Sequence, residues 1–278
     1  MTHRPIDATR SAQPGTQDDE TVDGLDPWDR MRTHTLARIG LRRAGDTLAT
    51  PEVLALGASH ALARDAVRTP LEVAAVHTAL SELELGAPVH VTSAAGDRDE
   101  YLRRPDLGRI PSGPLEFSSS GADLALVVCD GLSATAVAAH AAGLCAALAE
   151  AFAPDYSLAP PVIATQARVA LGDHIGRNLG ARAVLVVIGE RPGLSVTDSL
   201  GIYLTFAPRP GRADSERNCI SNIRPPHGLS YTDAAAVARD LVDQMFRAGR
   251  SGVSIKPRAS SIPLPSRPLG IPSDSEIV

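Results

Sequence analysis

The chain has 278 residues, of which 44% are hydrophobic, 21% charged and 3% aromatic, with a formal net charge of -5. That is enough chain for about two domains and a buried core. The few aromatics argue against a single-stranded nucleic-acid binder, and the acidic balance against a duplex binder. Three scattered cysteines, Cys129, Cys145 and Cys219, make neither a disulfide framework nor a C-x-x-C zinc site, and suit a reducing cytosol.

Residues 1–25 are polar and become acidic at Asp18-Asp19-Glu20. They hold no apolar segment of the signal-peptide kind and read as a disordered extension. No run approaches the roughly 18 apolar residues of a membrane span.

Residues 26–115 read as a helical N-terminal domain. Thr50-Pro51 and Thr69-Pro70 each set an N-cap residue before a proline at the first helical position. Val53, Leu56, Ala63 and Val67 then recur at helical spacing, as do Val73, Val76 and Leu80. Gly86-Ala87-Pro88 ends the second helix. His60 and Arg64 lie four apart on one face, where a lone histidine is usually structural or surface. Val89 to Val91 reads as a short strand. The stretch 97–109 alternates Asp97, Arg98, Asp99, Glu100, Arg103, Arg104, Asp106 and Arg109. Mixed signs predict an ion-paired or partner-facing surface. Residues 110–120 read as a Pro/Ser/Gly linker and a domain boundary.

The period changes over 116–256. Residues 124–130 form a strand, followed by an alanine-rich helix through Leu148. A second strand covers 161–166, and a helix over 170–180 closes at Gly180. Residues 183–189, AVLVVIG, make the clearest buried strand. Residues 200–208 alternate as a half-exposed or edge strand does. Ser230 and Asp233 predict a capping box for a helix reaching about Ala248. The fold class is therefore α/β, with a Rossmann-like parallel sheet after the helical domain. Prolines at 257, 263, 265, 268 and 272 make 257–278 a disordered, polyproline-type tail.

Ligands of such sheets sit beyond the carboxyl ends of the strands. Three exits qualify: 129–133, 165–169 and 189–193. This spacing locates a site and names no reaction. Residues 131–135 offer a nucleophile elbow around Ser133, but Thr135 replaces the second glycine. Asp198 and His227 follow in triad order without matching context. Capping of the next helix by Ser133 or Asp130 is the plainer reading. No G-x-G-x-x-G, P-loop or H-x-x-x-H spacing occurs on a suitable element.

Several long strings occur together in order. They are DPWDRMRTHTLARIGLRRAGDTL (26–48), SHALARDAV (59–67), YLRRPDLGR (101–109), VVCDGLSATAV (127–137), LGDHIGRNLGA (171–181), VVIGERPGLSVTDSLGIYLTFAPR (186–209) and ERNCISNIRP (216–225). Over roughly 26–256 the chain resembles the small (light) subunit of ethanolamine ammonia-lyase. That resemblance implies an adenosylcobalamin-dependent carbon-nitrogen lyase converting ethanolamine to acetaldehyde and ammonia. Homolysis of the cobalt–carbon bond yields an adenosyl radical that abstracts hydrogen from the substrate. In the family a barrel-shaped large subunit holds ethanolamine, and the small subunit covers the other face of the corrin. Cobalamin keeps its lower base attached. Here Asp173 and His174 are adjacent, so no D-x-H-x-x-G cobalt-ligand motif is present.

The resemblance carries over three corrin contacts, Val169, Glu190 and Cys219, and implies no catalytic or metal-ligating residue on this chain. Val169 suits the apolar corrin edge, Glu190 accepts from amide or ribose donors, and Cys219 allows close approach. The plainer alternatives are core packing for Val169, pairing with Arg191 or a helix N-terminus for Glu190, and a buried structural role for Cys219. Arg168, Gln166, Asp130, Ser133 and Asn222 are candidates by proximity. The implied partner is the large subunit in a higher-order hetero-oligomer. The implied compartment is a bacterial microcompartment, or the cytoplasm where no shell exists. Two other readings are a non-catalytic corrinoid-binding or scaffold protein and a serine hydrolase using Ser133.

Overall fold

The computed structural model describes residues 26–258 and Ser261. The expectations for 1–25 and for most of 257–278 lie outside the described residues. A short helix, α1 (Pro27–Arg32), is capped by the Asp26 carboxylate, and a two-residue antiparallel pair follows, β1 (Arg43–Ala44) with β2 (Thr47–Leu48). Helix α2 (Thr50–Arg68) starts one residue before the expected proline position, with Ala49 at its N-cap.

Thr69 does not start the next helix. It ends α2, and both its N–H and its hydroxyl donate to Asp65 O. Pro70 explains this, because the residue before a proline is pushed to extended backbone; Thr69 has ψ 125°. Helix α3 (Val73–Ser81) has Glu72 at its N-cap instead. The expected inner face of α2 is also thinner than its spacing suggests. Only Ala66 is buried, while Val53 is 51% exposed.

The remaining elements are β3 (Val89–Thr92), α4 (Arg98–Arg103), β4 (Leu124–Cys129), α5 (Ala134–Phe152), β5 (Val162–Thr165), α6 (Leu171–Leu179), β6 (Ala183–Gly189), β7 (Leu200–Phe206), β8 (Asn218–Ile223) and α7 (Tyr231–Ala248). Six strands form one sheet in the order β3-β5-β4-β6-β7-β8. The first four are mutually parallel, and the β6–β7 and β7–β8 pairs are antiparallel. The molecule is thus α/β with a mainly parallel sheet, and it departs from an all-parallel one. A parallel return takes a crossover of about a dozen residues or more. The connection 190–199 is too short, so β7 comes back as a hairpin partner.

Two further strand expectations change. β7 is not an edge: it lies between β6 and β8, with five of its seven residues buried. β3 comes from the half read as helical, yet pairs with β5 from Val89↔Val162 to Thr92↔Thr165. The sheet therefore spans the 110–120 linker.

Burial on both faces makes β4 and β6 apolar at every position. Leu124, Leu126 and Val128 of β4 face α3, α5 and α7, whereas Ala125, Val127 and Cys129 face α6. Helix α5 is long and apolar enough to cross a membrane by composition alone. Nine of its residues are buried, and eight of them, including Leu144, Leu148 and Phe152, belong to the core shared with α3 and α7. Asp173 of α6 and Arg217, just before β8, form a buried fork, with Oδ1–Nη1 and Oδ2–Nη2 both 2.7 Å apart.

Candidate functional site at the carboxyl edge

β4 continues into α5 on one face of the sheet, and β5 continues into α6 on the other. Adjacent strands leaving to opposite faces open a crevice between their carboxyl ends. Two glycines set its floor. Gly131 has φ +56°, and a Cβ there would lie 2.2 Å from Gly189 O. A Cβ on Gly189 would lie 2.1 Å from Ser133 O. Leu132 N–H donates to Gly189 O at 2.9 Å, so the β4 and β6 exits interlock.

Asp130 shapes the β5 exit. Its buried carboxylate accepts from Gln166 N at 2.8 Å and Ala167 N at 2.9 Å, and Arg98 Nη1 lies 3.1 Å away. Burial pushes this carboxyl up, and those donors oppose the shift. The buried Tyr101 donates its hydroxyl to Ala167 O at 3.0 Å. The Arg168 guanidinium lies over the Tyr101 ring, 4.4 Å from its centre. Burial raises the Tyr101 phenol well above its ordinary value, so it stays a neutral donor.

The charged stretch 97–109 therefore turns two of its residues, Arg98 and Tyr101, inward as a brace for the site. The ion-paired surface expected of it survives only outside, where Arg68–Asp99 (3.2 Å) and Arg104–Asp106 (2.7 Å) are solvent-facing. The charge pattern hides this because α4 presents a different residue to the core every third or fourth position.

A cleft of about 450 Å³ opens here, lined among others by Leu132, Arg168, Val169, Glu190, Arg191 and Tyr203. Val169 is half-buried on its wall. Glu190 accepts from Ser199 Oγ at 2.7 Å and from Asn222 N–H at 3.3 Å. It forms no ion pair with Arg191. Asn222 stands at φ +59° and reaches the carboxylate through its backbone. Cys219 is exposed and sits opposite Tyr203 in the β7–β8 register. It is thus no buried structural cysteine. Desolvation pushes its thiol up, with Glu190 adding and Tyr203 opposing, so it is not a reactive thiolate. Tyr203 is pushed up to about 12, by burial first and then by Cys219.

The structure brings Val169 and Glu190 into one cleft and sets Cys219 beside that cleft's Tyr203. Gln166 stands at the β5 exit with its buried Oε1 unpartnered, as is the buried Nε of Arg168. Ser133 is fully buried and spent: its Oγ accepts from Ala136 N at 3.1 Å and donates to Thr197 O at 2.7 Å. It is the α5 N-cap, which overturns the hydrolase reading. Among the described residues no cluster of three or more His, Cys, Asp or Glu could hold a metal.

Sequence reasoning missed Tyr101 and Tyr203, and it placed Arg191 only at a strand exit and as a possible partner of Glu190. The period of β7 carried a signal for Tyr203, since Leu200, Ile202 and Leu204 take the opposite face. Tyr101 gave none amid its charged neighbours.

A family profile described as "Ethanolamine ammonia-lyase light chain" matches residues 25–256. An ethanolamine ammonia-lyase small subunit from Rhodococcus erythropolis is 52% identical over 232 residues, covering 84% of this chain and 90% of its own. One from Ralstonia nicotianae is 49% identical over 251 residues, covering 86% and 90%. One from Pseudomonas syringae pv. tomato is 42% identical over 276 residues, covering 96% of each. At such identity and coverage, this chain belongs to the ethanolamine ammonia-lyase small-subunit, or light-chain, family.

Proposed function

We propose that this chain is the small subunit of an adenosylcobalamin-dependent ethanolamine ammonia-lyase and that its carboxyl-edge cleft forms one face of the corrinoid site. The observation that carries the reading is the meeting of Val169 and Glu190 in one cleft at the β5 and β6 exits. The residues present fit such a ligand. Arg168 Nε and Gln166 Oε1 are buried without partners, and a corrin edge rich in amides offers both an acceptor and a donor.

Val169 would pack against the apolar part of the ring. Glu190, oriented by Ser199 and Asn222, would accept from amide N–H groups. Tyr203 stays protonated and can donate, and Cys219 beside it leaves room for close approach. When bound, the cofactor supplies the radical chemistry that takes ethanolamine to acetaldehyde and ammonia. This chain's side chains orient the ring and exclude water. Asp130 is committed to Arg98 and two backbone N–H groups, and Ser133 to backbone partners, so neither is free to move protons. The substrate belongs to the large subunit, and the two chains assemble into a higher-order hetero-oligomer. That assembly works in a bacterial microcompartment, or in the cytoplasm where no shell is made.

Co-expression with the large subunit tests this reading through acetaldehyde release with adenosylcobalamin. Activity is expected only with both chains, and full activity without this one overturns the proposal. Glu190→Ala is expected to raise the cofactor Kd about tenfold, the scale of one charged hydrogen bond, with little change in the KM for ethanolamine. Equal effects on both would remove Glu190 from the interface. A pair that binds cobalamin without releasing acetaldehyde would favour the corrinoid-binding scaffold.

A further inference from the structure

A second cleft, of about 500 Å³, adjoins the first and shares Leu132, Arg168 and Arg191 with it. Its outer wall is α2, which contributes His60, Arg64 and Arg68. Four arginines and a histidine thus line one space, and no carboxylate does. This is a local excess of positive charge on a chain whose net charge is -5. Chance pairing does not cancel it. Among the described residues, only Arg68 of the four arginines has an ion-pair partner, the exposed Asp99 at 3.2 Å. Arg64 and Arg191 have none among the described residues.

Arg168 is the fixed point. Its ring contact with Tyr101 and its backbone hydrogen bond to Gly108 O at 2.8 Å hold it at the junction of the two clefts. A guanidinium held flat in this way loses little freedom on meeting an anion, and its fork matches phosphate oxygens. The cleft therefore has the chemistry of a phosphate site. It also opens into a cleft whose proposed ligand carries one such group. The amide side chains of a complete corrinoid are neutral, and its one anionic group is the phosphodiester of the nucleotide loop.

We infer that the cleft between α2 and the β4, β5 and β6 exits binds a phosphate group, and that this group is the phosphodiester of the corrinoid's nucleotide loop. The inference rests on the corrinoid reading. It gives the cationic cleft the task of selecting complete corrinoids over those that lack the nucleotide loop.

The test uses the complex of this chain with its large subunit. The visible absorption of the corrinoid gives dissociation constants for cobalamin and for cobinamide, which lacks the phosphodiester. Arg64→Gln and Arg191→Gln replace exposed side chains without ion-pair partners, so both variants keep the fold. Each is expected to weaken cobalamin about tenfold and to leave cobinamide within about twofold. Arg168→Gln is expected to weaken both corrinoids, because Arg168 also lines the corrin cleft, and to weaken cobalamin by the larger factor.

Equal weakening of both corrinoids, or of neither, overturns the inference while the corrinoid reading stands. Failure of the wild-type complex to bind either corrinoid overturns both. Weaker association with the large subunit at unchanged corrinoid discrimination assigns the arginines to an acidic segment of the partner, and overturns it too. Inorganic phosphate binding to a complex already filled with cobalamin assigns the cleft to free phosphate and overturns the corrinoid source.

Discussion

Gly189 ends β6 where two exits cross, and no side chain fits there. Its Cβ would stand 2.1 Å from Ser133 O and 2.6 Å from Asp130 O, both backbone atoms that cannot swing away. Gly189→Ala is expected to cost about 3 kcal/mol or more, as overpacking against backbone does. A urea midpoint within error of wild type would mean that the exits are looser than the structure shows. Arg217 makes a second residue-scale case. It satisfies both oxygens of the buried Asp173 and also donates to Thr205 Oγ1 at 2.9 Å. Replacing the ion pair as a unit with apolar residues costs little, whereas removing one partner strands a buried charge. Arg217→Met is accordingly expected to lose about 3–5 kcal/mol, with Asp173→Leu partly restoring it. Additive losses in that double-mutant cycle would show that the two do not act as a pair.

At the scale of elements, β3 carries a histidine, His90, that makes its pairing with β5 sensitive to pH. His90 Nε2 lies 3.0 Å from Thr165 Oγ1 across the β3–β5 pair, and partial desolvation of this exposed side chain lowers the imidazole below its ordinary 6.5. His174 of α6 is lowered as well, by burial first. A lowered histidine binds fewer protons folded than unfolded below pH 6.5. Stability is therefore full above that value and falls as pH drops through the lowered one. Thermal melts at about pH 7.5 and about pH 5 should show this loss, and His90→Gln should reduce it while keeping a hydrogen bond to Thr165. An unchanged pH slope in the variant would clear His90 of the effect. β3 also marks the limit of reading strands from sequence. β4, β5 and β6 are legible because parallel strands covered on both faces spell unbroken apolar runs. β8, Asn218–Ile223, spells NCISNI, buries only three of its six residues and looks like a loop. With β8 hidden, β7 reads as an edge, although a strand on each side covers it. The polarity of β8 has a use: its Asn222 N–H holds Glu190, and Cys219 stands beside Tyr203.

For the whole molecule, the carboxyl edge was legible as a location, since three strand exits converge wherever a parallel sheet reverses its winding. Val169, Glu190 and Cys219 came from the family resemblance, because nothing in their spacing marks them. The cationic cleft was illegible for a different reason. His60 and Arg64 on α2 meet Arg168 and Arg191 only after more than a hundred intervening residues fold. The same helix carries an asymmetry that packing within this chain does not explain. Of the nine large apolar side chains left exposed among the described residues, three lie on α2, Val53, Leu54 at 68% and Leu62 at 64%, and three more, Trp28, Met31 and Leu36, lie in the segment before it. α2 also walls the cleft, and on the proposed reading, in which the large subunit closes the corrinoid site, α2 belongs to the interface. Replacing Leu54 and Leu62 together with glutamine should therefore cost the isolated chain no more than about 1 kcal/mol, as exposed substitutions do. Leu144→Ala, inside the α5 core, should cost about 2–5 kcal/mol. Association should reverse that order: gel filtration with the large subunit is expected to show the glutamine pair weakened about tenfold or more and Leu144→Ala assembling wherever it folds. A glutamine pair that assembles as tightly as wild type would remove α2 from the interface and leave its apolar surface unexplained.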